Sequence, residues 1–291
     1  MTTIPQYDDV LAQPLPVELI AKQDQLMERL RALGRVMIAF SGGVDSSYLA
    51  WAAHRALGDD SLSVTALSAS FPESHRAMVD EIVERFALRH RFVETHEMER
   101  EGYRANASDR CYHCKTELFD RLEGLGRELG FEHVSYGVNT DDTGDFRPGH
   151  RAADEHGVMA PLLEVGLSKR EIRDLSRAAG LPTADLPASA CLSSRLPYGT
   201  KVTVDRLRQV EEGEEILRGL GFRQLRLRHH GELARIEIDP VELPGALDPV
   251  MARRIVRAIK PLGFRYVSLD LEGYRTGSLN EVLQIHREPI R

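Results

Sequence analysis

Cysteine is scarce in this chain, three residues in 291, and in a reducing compartment that excludes a disulfide framework. Long apolar runs are missing: none reaches 18 residues, so no membrane span is expected. The first residues, MTTIPQYDDV, lack a basic-then-apolar signal pattern, and the expected location is the cytoplasm. Positive charge is not in excess. A formal net charge of −7 argues against a protein that grips nucleic acid by bulk electrostatics, although a local basic patch stays open. Neither an internal repeat nor a low-complexity tract is found. The hydrophobic share of 42% and charged share of 29% are those of a globular protein, with length for one large or two ordinary domains.

Residues 36–47, VMIAFSGGVDSS, organise the rest. Val36 to Phe40 is an apolar run with the length of a buried parallel strand. Ser41-Gly42-Gly43 follows, then Asp45-Ser46-Ser47 opening an apolar-periodic run to Leu57. The reading is strand, tight loop, helix. Two glycines let the backbone turn sharply and present its N–H groups, and a helix N-terminus suits phosphate. Ser41, Ser46 and Ser47 add hydroxyl donors. Asp45 repels phosphate and reads as a helix cap or part of a magnesium site. The Walker spacing and its lysine are absent, and so is the dinucleotide glycine pattern.

Taken in order, Leu15 to Leu33 is helical in period, with Gly34 as its stop, after a poorly ordered lead-in over residues 1–14. Ser63 to Ala69 reads as a second strand. Its end, Ser68-Ala69-Ser70, lies where adenine or ribose is expected in an open α/β sheet. Glu73 to Leu88 reads as a helix, His90 to Thr95 as a third strand, His133 to Asn139 as a fourth and Val158 to Leu163 as a fifth. Ser168-Lys169-Arg170-Glu171 is a capping box. Residues 181–200 hold four prolines and read as irregular. A domain boundary is expected near residue 200, giving units 1–200 and 201–291. The second unit reads as a small α+β domain: a helix from Val204 to Leu220, an antiparallel hairpin from Arg223 to Ile238, a helix from Pro249 to Leu262, and a strand from Arg265 to Leu271. Arg226 and Arg228 share one strand face, either to hold an anion or as an ordinary solvated face.

Cys111 and Cys114 are one turn apart near a helix N-terminus, on one face. Alone the pair is ambiguous between a redox couple, half a zinc site and a cluster site. Zinc wants four ligands, and only Cys191 remains, with His113 or His133 as candidate fourth ligands. Cys191 sits in a proline-rich segment that reads as a surface loop. Three cysteines from two loops would leave one iron of a [4Fe–4S] cluster open.

The strings SGGVDSS, CYHCK, YGVNTDD, DFRPG, ACLSSR and LRLRHHG together resemble the LarE family of ATP-dependent sulfur transferases, within the PP-loop ATP pyrophosphatases, from about residue 15 to residue 285. The resemblance implies an α/β PP-loop fold, a parallel sheet with helices on both faces, plus a smaller C-terminal unit for substrate binding or oligomerisation. It implies adenylylation of a carboxylate of pyridinium-3,5-biscarboxylate mononucleotide and its replacement by thiocarboxylate, for a nickel-pincer nucleotide cofactor, with release of AMP and pyrophosphate. Of the two kinds of family member, the chain is similar to the one whose three cysteines, here Cys111, Cys114 and Cys191, hold a [4Fe–4S] cluster that carries sulfide. In the other kind a single cysteine, at the position of Cys191, gives up its own sulfur. The triphosphate is then expected over Ser41, Gly42, Gly43, Ser46 and Ser47, with Mg2+ and Asp45. The adenine is expected near Ala39, Ser68 and Ala69, with Gly137 allowing close approach. Arg195, Ser194, Arg226 and Arg228 are expected to hold the substrate. Glu214 or Glu215 would orient a metal or sulfur donor, or merely form a wet helix face. A homo-oligomer, with a hexamer as the family form, a sulfide source outside the chain and no stable nucleic-acid partner complete the expectation. The other readings are a tRNA thiolase and a nucleotide-binding regulator without chemistry.

Overall fold

The computed structural model describes residues 15–144, 148–186, 191–275 and 278. The lead-in over residues 1–14, the first three residues of DFRPG, the alanine before Cys191 and most of the chain after residue 275 lie outside the described residues. Four strands, β1 (Val36–Ala39), β2 (Ser61–Leu67), β3 (His90–Glu94) and β4 (His133–Tyr136), form a parallel sheet in the order β3-β2-β1-β4. Val36 lies opposite both Ser61 and His133, and Ser63 opposite His90. Around them run α1 (Val17–Leu33), α2 (Val44–Leu57), α3 (Glu73–Arg85), α4 (Glu101–Arg104), α5 (Arg110–Leu129), α6 (Pro148–Glu155), α7 (Pro161–Glu164) and α8 (Lys169–Ala178).

The composition of β1 explains its place. Val36 and Ile38 pack with Leu26 and Leu30 of α1, Leu49 of α2 and Ile172 of α8. Met37 and Ala39 pack on the other face with Phe119 and Leu122 of α5. A strand apolar on both faces needs a layer of helices on each. On α2 the single tryptophan, Trp51, stacks on Tyr48 with ring centroids 5.7 Å apart.

The chain builds outward from β1 to β2 and β3, then returns past β1 to β4. That reversal opens a crevice beyond the carboxyl ends of β1 and β4. The fifth strand expected over Val158–Leu163 does not form. Met159 makes an isolated parallel bridge to Ser135, and Pro161 then opens α7. Proline has no N–H for a ladder, and its fixed φ suits a first helical turn.

After α9 (Val204–Gly219), a second sheet holds β5 (Leu225–His230), β6 (Leu233–Ile238) and β7 (Tyr266–Leu269), with α10 (Leu243–Leu247) and α11 (Pro249–Ile259) between β6 and β7. β5 and β6 are antiparallel, and β7 joins β6 in parallel. Leu207, Val210 and Leu217 of α9 pack with Leu225, Leu227, Ile236, Ile238, Ile255 and Ile259. Tyr103, Leu192 and Leu196, from earlier in the chain, are part of the same core, and Cys114 packs against it.

Candidate active site

The phosphate-type loop lies in the crevice. Gly42 has φ +75°, a backbone that L side chains rarely adopt, and a Cβ there would come within 3.0 Å of Val79. Ser46 braces the loop: its hydroxyl donates to the Gly43 carbonyl at 3.1 Å and accepts from the Ser41 N–H at 3.2 Å. Two adjoining cavities, of about 680 and 220 Å³, share Ser41, Gly43, Ser46, His75 and Gly137 as lining. Gly42 and Asp45 line the larger one. Ser47 lines neither. Its side chain is wholly buried, and its hydroxyl has no partner among the described residues. One residue along a helix is a rotation of about 100°, which turns Ser47 from the loop into the fold.

The smaller cavity holds Ala39 and Ser68, but not Ala69, which is exposed at the turn after β2. Ser70 lines it instead and donates to buried Glu97 at 3.2 Å. Gly137 is needed for a close approach, and what approaches is backbone. A Cβ at Gly137 would stand 2.7 Å from the Ser46 nitrogen, so the glycine lets the end of β4 seat against the first turn of α2.

Asp45 does not cap α2. The N-cap is Gly43, with no side-chain cap bond. Oδ2 of Asp45 accepts from the Lys169 ammonium at 2.6 Å, and Oδ1 is buried with no hydrogen-bond partner among the described residues. Burial holds the Asp45 carboxyl above its ordinary value, against the pull of Lys169. An open carboxylate oxygen beside a phosphate loop fits Mg2+, which takes one or two carboxylates and completes its shell with phosphate and water.

Cys114 and Cys191 line the smaller cavity together, and Cys111 is exposed one turn earlier on α5. Cys191 precedes a short 3-10 turn, Leu192–Arg195. Its sulfur lies 3.1 Å from the Ser193 hydroxyl, itself 3.0 Å from the Tyr103 hydroxyl. Buried Arg110 donates to the Ser193 carbonyl at 2.8 Å and to Asn106 at 2.6 Å. Burial favours the neutral Cys191 thiol, but Arg110, the Ser193 hydroxyl and Arg195 outweigh it and hold the thiol below its ordinary value. Burial, with Glu97 and Cys191 nearby, pushes the Cys114 thiol up. His113 and His133 are not ligands beside these thiols. His113 lies 3.4 Å from Asp109, and His133 starts β4, at the far end of the sheet from the crevice. Among the described residues, no three His, Cys, Asp or Glu side chains come together to hold a metal ion.

The arginines are not a solvated strand face. Arg226 and Arg228 are 9% and 6% exposed. Arg226 lines the larger cavity with its guanidinium over the Tyr274 ring. Arg228 is used up elsewhere: it grips Glu237 with two bonds, of 3.0 and 2.8 Å, and donates to the Ser194 carbonyl and the Ser278 hydroxyl. It braces the cysteine segment against β5 and β6 instead of facing the cavity. Ser194 is drawn in as a partner of Arg195. Arg195 lines the larger cavity and is clamped by Glu214 at 2.8 and 3.0 Å. Glu214 is therefore a buried counter-ion, and exposed Glu215 lies on the cavity wall.

Lys169, His75, Glu97 and Arg110 escape the sequence reading. Lys169 stands in plain view in the capping box, which forms as expected, but nothing in the sequence points from it to Asp45. His75 lines both cavities and is held down to about 4 by burial and by Arg195, Arg218 and Arg226.

The asparagine synthase family pattern matches residues 22–121. An uncharacterised protein of Synechocystis is 42% identical over 91% of this chain and 99% of its own length. The pyridinium-3,5-bisthiocarboxylic acid mononucleotide synthase of Lactiplantibacillus plantarum is 34% identical over 91% of this chain and 96% of its own. An uncharacterised protein of Methanocaldococcus jannaschii is 25% identical over 89% of this chain and 98% of its own.

Proposed function

Since the chain belongs to the LarE family of ATP-dependent sulfurtransferases, we propose that it inserts sulfur into pyridinium-3,5-biscarboxylate mononucleotide through an acyl-adenylate, for a nickel-pincer nucleotide cofactor. The observation that carries this reading is the lining of the smaller cavity, where Cys114 and Cys191 meet Ser41, Gly43 and Ser46. A sulfur donor and a phosphate loop share one space.

ATP lies with its triphosphate along the loop, and its α-phosphorus sits where the two cavities adjoin. A substrate carboxylate enters from the larger cavity, where Arg195 and Arg226 offer positive charge to its phosphate and second carboxylate. One carboxylate oxygen attacks the α-phosphorus, and pyrophosphate leaves. The carboxyl carbon is then an activated acyl centre with AMP as leaving group, and sulfur attacks it from the cysteine side. Asp45 would hold Mg2+, which would supply charge neutralisation for the phosphates.

The three-cysteine pattern proposes a [4Fe–4S] cluster as the sulfur carrier, reloaded by sulfide from outside the chain. As placed, the thiols do not assemble it, since Cys111 is exposed and only Cys114 and Cys191 share the cavity. What the chain itself supplies is the Cys191 thiol, held below its ordinary value by Arg110 and Arg195; as donor it would displace AMP to give a thioester, and loss of its Cα proton with cleavage of its Cβ–Sγ bond would release the thiocarboxylate and leave dehydroalanine. The proposed assembly is a homo-oligomer.

Anaerobic purification with iron and sulfide analysis tests the carrier, on wild type and Cys114→Ala. About four irons per chain, lost in the variant, would assign the sulfur to a cluster. A colourless protein that turns over once and leaves Cys191 lighter by one sulfur would overturn the cluster in favour of Cys191 as donor. AMP and pyrophosphate must appear only with the pyridinium mononucleotide; a requirement for tRNA would sink the substrate assignment.

A further inference from the structure

Glu97 is only 2% exposed and takes no part in the steps above. It opens a short 3-10 turn, Glu97–Glu99, beyond the carboxyl end of β3. There it lines the smaller cavity with Cys114 and Cys191. Its Oε1 accepts from the Ser70 hydroxyl at 3.2 Å. The Ser70 carbonyl accepts from the Leu192 N–H at 3.1 Å, so one serine ties this carboxylate to the segment that carries Cys191.

Among the described residues no cation pairs with Glu97, and the basic groups around it are turned elsewhere. His96 lies beside Glu99, and Arg100 grips Glu117 and Asp120. Lys115, on the same cavity wall, holds its ammonium over the Phe119 ring. A carboxylate taken out of water without a counter-charge is costly. A cation entering the cavity offsets that cost.

The substrate proposed above brings one. Its ring nitrogen is quaternary, and the positive charge spreads over the ring carbons. Its anionic groups meet Arg195 and Arg226 on the larger cavity. The ring itself is bonded directly to the carboxyl carbon that sulfur attacks, so it must reach the wall where Cys114, Cys191 and Glu97 stand together. In a confined site, opposite charges attract far more strongly than in bulk water. We propose that Glu97 is a specificity-determining residue: its buried carboxylate is the counter-charge for the pyridinium ring, and it selects a cationic ring over a neutral one of the same shape. The inference rests on the sulfurtransferase reading of the site.

Calorimetric titration of the full chain tests it, with Mg2+ and α,β-methylene-ATP present to fill the loop without cleavage. Two probes are compared: pyridinium-3,5-biscarboxylate mononucleotide, and its benzene C-nucleoside analogue, in which carbon replaces the ring nitrogen. Wild type is expected to prefer the pyridinium by about 10-fold or more, the scale of one partly screened charge pair. Glu97→Gln keeps the size and the acceptor for Ser70 but removes the charge. It should weaken the pyridinium alone and bring the two probes within about twofold of each other. α,β-methylene-ATP titrated by itself should bind the variant as it binds wild type, which shows that the variant is folded. Glu97→Asp keeps the charge and should keep a preference. No preference in wild type, or equal weakening of both probes in Glu97→Gln, overturns the proposal. So does a loss of α,β-methylene-ATP binding with the ring preference unchanged, which would assign the carboxylate to the ribose. Failure of wild type to bind either mononucleotide would sink the sulfurtransferase reading itself, and this inference with it.

Discussion

A carboxylate only 1% exposed stands in the C-terminal core because three groups answer it. Glu214 accepts from Arg195, from Arg218 at 3.1 Å and from the Leu227 N–H at 3.2 Å. Burial alone would raise its pKa, but Arg195 outweighs burial and holds it below the ordinary value. Glu214→Ala is expected to cost about 3–5 kcal/mol, because it strands a buried guanidinium; urea unfolding reads it, and a cost below about 1 kcal/mol would contradict the geometry. A carboxyl depressed in the folded state contributes stability above its unfolded pKa and loses it as pH falls through the lower folded value, so Glu214→Gln should blunt acid unfolding. His75 works on a different window. It is protonated below about 6.5 in the unfolded chain, by its reference value, and only below about 4 in the fold. The unfolded state binds the extra proton between those values, so stability rises with pH there. His75→Gln should flatten that rise in chemical unfolding measured across the same range. At this scale spacing placed Ser41, Gly42, Gly43, Ser46 and Arg226 on the cavity walls, but it misplaced Ser47 and Arg228, which turn into the fold. It was silent on Lys169 and Arg110, whose roles depend on partners 124 and 83 residues away.

Elements were legible when several local signals agreed. The capping box, Gly34 after α1 and the apolar run of β1 each have one sensible reading. Val158–Leu163 did not, because an apolar run argues for a strand while Pro161 inside it argues for a helix start, and proline prevailed. The contact between β4 and α2 was legible only as a glycine, without its reason. Gly137→Ala places a methyl 2.7 Å from the Ser46 nitrogen, among backbone atoms that cannot step aside. It is expected to cost about 1–3 kcal/mol, as overpacking does, and to weaken ATP because the loop rides on the displaced turn. A variant with unchanged melting and unchanged ATP binding would show that the two elements are not locked at this point.

Across the whole molecule, the parallel sheet and its crevice followed from one motif, since a strand–loop–helix of that kind sits at a reversal of strand order. What lay beyond reach was the composition of the second core, because contacts between residues far apart in the chain leave no periodic trace. Tyr103, Leu192 and Leu196, each at most 1% exposed, help to build it from upstream of residue 200. A chain cut after residue 200 would expose all three, and it is expected to bind hydrophobic dyes or aggregate. A soluble fragment that unfolds cooperatively would show instead that the two sheets fold independently. The stack of Trp51 on Tyr48 has a use of its own. The chain has one indole, and it lies about two turns into α2, the helix whose first turn faces the phosphate loop. Its emission is therefore an unmixed optical signal from that helix, which lets nucleotide arrival be followed in real time without any label attached.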